Sequence, residues 1–450
     1  MTAGYFCLLA EGIVLLSNEN AVKRFIRRFI KESIYINTLY LLFSWVLLSA
    51  FGLLFWTICA HLYSDAQMGI ATALLAALNL ISSLSLMGFE LSIIRVLPEH
   101  PDKNTLFNVC LSTVTVFGVF FSLLFMVILP HFHSDLDVVT SSIATRLLFI
   151  LFVLISVSDY MFNNTFIAYR KSKFNLRKNL VFSVGKLIFP FFLIAFGAYG
   201  ILSSWMFSLG AAVIYSMVVL SRRFNHSLMP RLGIAPLRGM IRYSFGNYLA
   251  SFVEGLPVIV LPILIINVYG PEMSAYYYIA MMFATFLFTI SASATQSLLA
   301  EASHGGVTLT KMIGKVLKFL GLLLVPGIIF LMVLSPYLLR VFGSSYAAEA
   351  TGLLRILAVA AVVNAFNSIA RTIFRINYRT LPLTVISFFG AVLIISFSYF
   401  FRGYGLNGVG YAKFLGEAVS LVCYGALIFL DRRRLLLAAA PRYSASNSST

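Results

Sequence analysis

The chain has 450 residues, of which 60% are hydrophobic and 11% charged, with a mean hydropathy of +0.93 and a formal net charge of +17. A soluble domain carries about 45–50% apolar and about 25% charged residues, so a soluble globular fold is excluded. Apolar stretches of roughly 18 or more residues recur from end to end, each long enough to cross about 30 Å of hydrocarbon, and they read as a polytopic membrane protein.

In chain order, the first stretch, "YFCLLAEGIVLLS", is apolar but interrupted by Glu11, and no Lys or Arg precedes it. It lacks the basic n-region of a secretory signal and reads either as an interfacial stretch or as an upstream start. "KRFIRRFIK" (23–31) is predicted to be an amphipathic basic lead-in lying along an anionic inner leaflet. Twelve spans follow, predicted at 34–60, 70–94, 105–129, 142–165, 180–197, 203–220, 244–267, 275–299, 312–334, 350–369, 383–401 and 406–430. Each is expected to be helical, because lipid offers backbone N–H and C=O groups no water to bond. The expected fold class is therefore an all-α polytopic membrane protein with twelve transmembrane helices in two pseudo-symmetric six-helix bundles around a central cavity.

With the N-terminus placed in the cytoplasm, 27 of the 33 Lys and Arg fall in inner segments, and only Arg340 and Arg402 fall in or beside an outer one. This asymmetry is the positive-inside signal, and it predicts a multi-pass plasma (inner) membrane protein with both termini cytoplasmic. It also accounts for the basic surplus without nucleic acid, which is not an expected partner.

The chain repeats itself. "VILP" (127–130) answers "VLSP" (333–336), "TRLLFIL" (145–151) answers "TGLLRIL" (351–357), Tyr63 answers Tyr269, and the Tyr-Gly at 199–200 answers that at 404–405. The offset is 206 residues, or 205 for the Tyr-Gly pair. Six spans per half is an even number, so the halves share one topology. The expected organisation is an N-terminal segment (1–33), a first lobe (34–220), a basic cytoplasmic inter-lobe loop (221–243), a second lobe (244–430) and a cytoplasmic tail (431–450). Gly403-x-Gly405-x-x-Gly408 mimics a dinucleotide fingerprint, but such a fingerprint needs a strand before it. Here it joins two spans, and its counterpart "GAYGILSS" (197–204) does the same; glycine permits the tight reversal.

No residue set for catalysis emerges, so no enzyme activity and no cofactor is expected. Cys7, Cys59, Cys110 and Cys423 lack metal-ligand spacing. "HFHSDLD" (131–137) reads as a solvated loop, because alternate residues of an irregular loop fix no coordination geometry, and no metal is expected. The outer loops are short; the longest is predicted at roughly 335–349.

Charge inside the membrane remains, and such residues usually face a cavity or a partner. Glu254 is expected near the midplane of the seventh span, with Pro257 and Pro262 just after it as a kink or hinge. Pro190 and Pro326 offer lesser kinks. Lys413 and Glu417 stack on one face by i,i+4 spacing, either as a self-neutralising pair or as a pair facing a wet cavity. Lys186 and Arg355 lie shallower and Arg146 shallower still. Asp159 and Glu90 lie toward inner ends, where capping or loop pairing, such as Glu90 with Arg95, is expected.

Four segments carry a family resemblance: "GFELSIIRVLPE" (88–99), "YGPEMSAYYYIA" (269–280), "VFGSSYAAEA" (341–350) and "YGLNGVGYA" (404–412). In this order and spacing they resemble the polysaccharide (oligosaccharide, O-antigen type) flippases of the multidrug/oligosaccharidyl-lipid/polysaccharide exporter superfamily. The resemblance implies alternating-access transport of a polyprenyl-diphosphate-linked oligosaccharide from inner to outer leaflet, for surface polysaccharide assembly. It implies two lobes around a cationic cavity, for which Arg146, Lys186, Arg355 and Lys413 are the candidates by depth and sign, with Glu254, Glu417 and Asp159 as coupling or cavity residues. The implied partners are the lipid-linked glycan and membrane lipids, with a glycan polymerase or glycosyltransferases nearby. The alternative within the superfamily is a proton- or sodium-coupled antiporter of drugs or small cations.

Overall fold

The computed structural model describes residues 33–98, 100–132, 136, 139–231, 233, 238–304, 309–377 and 379–431. The lead-in 23–31 and the tail beyond Asp431 lie outside these residues, as do His133, Asp135 and Asp137. Every regular element described is helical: α1 (Ser33–Leu62), α2 (Asp65–Leu86), α3 (Phe89–Val96), α4 (Lys103–Ile128), α5 (Ile143–Ala168), α6 (Lys173–Phe192), α7 (Gly197–Phe224), α8 (Arg238–Tyr269), α9 (Pro271–His304), α10 (Leu309–Arg340), α11 (Ser344–Ile376), α12 (Thr380–Phe400) and α13 (Leu406–Leu430). Ten stretches among the described residues are long and apolar enough to cross a membrane. Large apolar side chains such as Leu322, Phe400 and Leu430 stay exposed on the outer faces, as lipid contact requires.

The second predicted span, 70–94, is not one helix. Met87 and Gly88 take φ of 46° and 82° in succession, which ends α2 and starts α3. Gly88 adopts that backbone at no steric cost, whereas Met87 bears a penalty of about 1–2 kcal/mol. Counted together, α2 and α3 make one of twelve spans. The fifth predicted span, 180–197, starts seven residues early, at Lys173, and ends at Phe192 before a 3-10 turn, Ile194–Phe196. The outer loop expected at 335–349 shrinks to 341–343, because α10 runs through Pro336 to Arg340.

Helix starts follow local chemistry. Ser64 and Gln67 form a reciprocal capping box on α2, Asp102 accepts the N–H of Thr105 at 2.9 Å on α4, and Ser142 caps α5 with Thr145.

Packing divides the chain into two compact units. Among the described residues, one comprises 33–278 with Val341–Gly343; the other comprises Ile279–Arg340 and 344–431. By the sequence repeat α8 opens the second half, yet it packs with the first unit, along α2 and α3. The Tyr248 hydroxyl donates to the Ser83 carbonyl at 2.7 Å, and the Tyr276 hydroxyl to the Asp65 carboxylate at 2.7 Å. Gly69 lies so close to the Pro271 backbone that any Cβ there would overlap it.

The repeat is legible in backbone conformation, at a different register from the Tyr-Gly match. Gly197 and Gly405 both start helices after a 3-10 turn, at φ 55° and 59°. Three residues on, a Cβ at Gly200 or Gly408 would meet the carbonyl oxygen of Leu193 or Phe401 at 2.1 or 2.2 Å. The equivalent glycines are thus 208 residues apart, not 205. Tyrosine follows Gly197 by two residues and precedes Gly405 by one, so the Tyr-Gly dipeptides occupy different positions of the same turn.

Candidate functional site

In each unit the last two spans of the repeat pack against each other, α6 on α7 and α12 on α13, and each pair holds a buried ammonium group. In the first unit this is Lys186 on α6, 1% exposed. Its Nζ lies 4.8 Å from the ring centroid of Phe182 and 5.1 Å from that of Trp205. The cage continues through Phe55, Trp56 and Tyr278, with Phe55–Trp205 at 5.3 Å, Trp56–Trp205 at 6.1 Å and Trp56–Tyr278 at 4.8 Å. Backbone approach at Gly52 lets α1 close over the ammonium: a Cβ built there would lie 3.9 Å from Nζ. Among the described residues no carboxylate pairs with Lys186. Ring faces recover about 2 kcal/mol for a desolvated cation, less than the several kcal/mol that burying it costs.

In the second unit the ammonium is Lys413 on α13, 7% exposed, and here a carboxylate is supplied. Lys413 Nζ donates to Glu417 Oε1 at 3.0 Å and sits 4.9 Å from the Phe288 ring centroid. From α11, Asn364 Nδ2 donates to the same Oε1 at 3.1 Å, and Asn367 Nδ2 to the Glu417 backbone carbonyl at 2.8 Å. Glu417 Oε2 and Asn367 Oδ1 are buried without a hydrogen-bond donor among the described residues. The 208-residue offset matches Lys413 with Trp205 and Lys186 with Ile394. Ile394 packs on Gly416, so the two units fill equivalent helix pairs with the lysine on opposite partners.

The other expected residues are dispersed. Asp159 on α5 pairs with Lys178 at 2.6 Å. Lys178, expected in an inner loop, lies inside α6 and is 2% exposed, because the helix begins earlier than predicted. Arg146 is exposed at the start of α5, where its Nε and Nη2 donate to the Thr140 carbonyl at 3.2 and 2.8 Å. Arg355 is exposed on α11, and its Nε donates to the Met332 carbonyl at 3.1 Å. Pro336 has no N–H to offer that carbonyl four residues earlier, so Arg355 replaces the missing ladder bond. Glu254 is half-buried in α8, which runs unbroken through buried Pro257 and Pro262. Those prolines withdraw the donors to the carbonyls of Val253 and Val258.

Reading charge alone missed the aromatic half of the first site and the amide half of the second. Two asparagines three apart in the apolar run "VAAVVNAFNSIA" were the available signal for the latter.

Helices of this length, with apolar outer surfaces and ammonium groups buried among them, define an integral membrane protein. Its fold is that of the multidrug/oligosaccharidyl-lipid/polysaccharide (MOP) superfamily. It is similar to a lipid II flippase, MurJ, in an inward closed conformation, at TM-score 0.65 and 14% identity over 88% of this chain and 87% of that one. It is also similar to a multidrug resistance MATE family transporter of the MOP superfamily in an inward-facing conformation, at TM-score 0.60 and 17% identity over 90% and 96%. A MOP transporter from Pyrococcus furiosus, described as having a binding pocket of reversed polarity, matches at TM-score 0.57 and 14% identity over 89% and 96%. At these identities the likeness speaks for fold. No curated protein sequence matches the chain. The family model for polysaccharide biosynthesis proteins matches residues 58–351, more than half of the chain, and the chain belongs to that family.

Proposed function

We propose that this protein is a flippase that carries a polyprenyl-diphosphate-linked oligosaccharide across the plasma membrane by alternating access, for surface polysaccharide assembly. The observation that carries the reading is Lys186: a buried ammonium on aromatic faces, with no carboxylate beside it among the described residues. An ammonium has three donors and no acceptor, and it keeps capacity for an anionic partner when none is built in. A diphosphate cannot cross hydrocarbon unaided and needs such partners on its way. Lys413 serves the same cargo in this reading, held in reserve by Glu417 until an anion competes for it. Family membership supports a glycan role, and the polyprenyl chain stays in lipid while the headgroup passes.

The test is transport by the full chain in proteoliposomes, using a fluorescent polyprenyl-diphosphate oligosaccharide whose label is quenched only from outside. Wild-type protein should exchange the label between leaflets, and Lys186→Met should slow that exchange at least tenfold while inserting normally. Exchange no faster than in protein-free vesicles, together with uptake of a cationic dye, would overturn the reading in favour of a cation antiporter.

A further inference from the structure

We infer that the inner ends of α3, α4 and α5 form a binding site for an anionic glycerophospholipid, separate from the buried lysines. A cleft of about 500 Å³ opens there, lined by Ile94, Pro98, Lys103, Ile167, Tyr169 and Arg170. Ile94, Pro98, Ile167 and Ala168 give it an apolar side, as acyl and glycerol carbons require. Two cations stand at it, Lys103 and Arg170, both exposed and neither paired with any described residue. Asp102, the nearest acid in sequence, is engaged in capping α4 through the Thr105 N–H at 2.9 Å.

A second observation is independent of the cleft. Arg170 stands at φ 54°, and the Lys171 N–H closes back on the Phe166 carbonyl at 3.0 Å. This is the left-handed position after a helix end that glycine usually fills. A non-glycine residue there carries strain of about 1–2 kcal/mol, and such strain persists where the side chain has a use. Here the strained residue supplies the guanidinium of the cleft, whose planar fork suits a phosphate. A lipid rather than a free anion is the fitting ligand, because half the lining is apolar and lies at the end of the spans.

The experiment is native mass spectrometry of the detergent-purified full chain, titrated with phosphatidylglycerol or phosphatidylcholine. Wild-type protein should retain phosphatidylglycerol preferentially. Lys103→Gln with Arg170→Asn, the latter chosen because asparagine tolerates the left-handed backbone, should weaken phosphatidylglycerol about tenfold and leave phosphatidylcholine unchanged. Arg222→Gln with Arg223→Gln, which removes equal charge from the exposed last turn of α7, should weaken it less than twofold. Equal losses in the two double variants, or none in the first, would overturn the site. Circular dichroism and elution volume establish that the variants fold, and Lys103→Arg should bind as wild type.

Discussion

Arg355 and Pro336 show how a single side chain's meaning depends on what its neighbour lacks. By sign and depth Arg355 reads as a cavity cation; in the structure it is the donor that a proline withdrew from the Met332 carbonyl. The two residues should therefore be coupled. Arg355→Ala is expected to lower stability by about 1–3 kcal/mol, because it orphans a carbonyl among apolar groups. In a Pro336→Ala background, where the ladder N–H returns, the same change should cost less than half as much. Thermal unfolding of the four proteins in one detergent measures this, and additive losses would break the pairing. Lys186 and Lys413 pose the converse case. Lys186 was expected to lie shallow, yet it is buried as deeply as Lys413, and most of what surrounds the two ammonium groups comes from elsewhere in the chain. Only Glu417, one turn away from Lys413, was legible, whereas Trp205, Trp56 and Asn364 arrive from other helices.

At the scale of elements, the paired turns before α7 and α13 are the clearest mark of the repeat. The three glycines of Gly403-x-Gly405-x-x-Gly408 differ sharply in what they do. Gly403 has open space around it, Gly405 stands at φ 59°, and Gly408 has the Phe401 carbonyl where its Cβ would be. Gly403→Ala should accordingly change stability by no more than about 0.5 kcal/mol, as open surface positions do. Gly408→Ala and its equivalent Gly200→Ala should both sharply reduce the yield of folded, monodisperse protein. Size-exclusion profiles of a fluorescent fusion would check this; a silent Gly408→Ala would contradict the closeness of the turn. Helix existence was readable from apolar run length throughout. Helix ends were not: α6 takes Lys173, Arg177 and Lys178 into its first two turns, and α10 passes Pro336. In both places a partner on another helix, Asp159 or Arg355, compensates what the local sequence disfavours.

For the molecule as a whole, the arrangement of charge predicts an orientation that can be measured directly. In a background with Cys7, Cys59, Cys110 and Cys423 replaced, cysteine at Arg402 should react with a membrane-impermeant maleimide on intact cells. Cysteine at Lys171 should react only after permeabilisation. Both positions are exposed, so the contrast reads sidedness rather than burial. The reversed pattern would invert the topology inferred from 27 of 33 basic residues.

Composition and run length alone determined that this is an all-α membrane protein of many spans, because hydrocarbon leaves the backbone no other way to satisfy its own polar groups. The tertiary structure decided where the second span breaks, which register relates the halves, that α8 packs with the first unit, and which cations are buried, paired or spent on a carbonyl. Those outcomes rest on atoms brought together from helices far apart in sequence, such as Trp205 over Lys186 and Lys178 on Asp159, and no local pattern encodes such meetings.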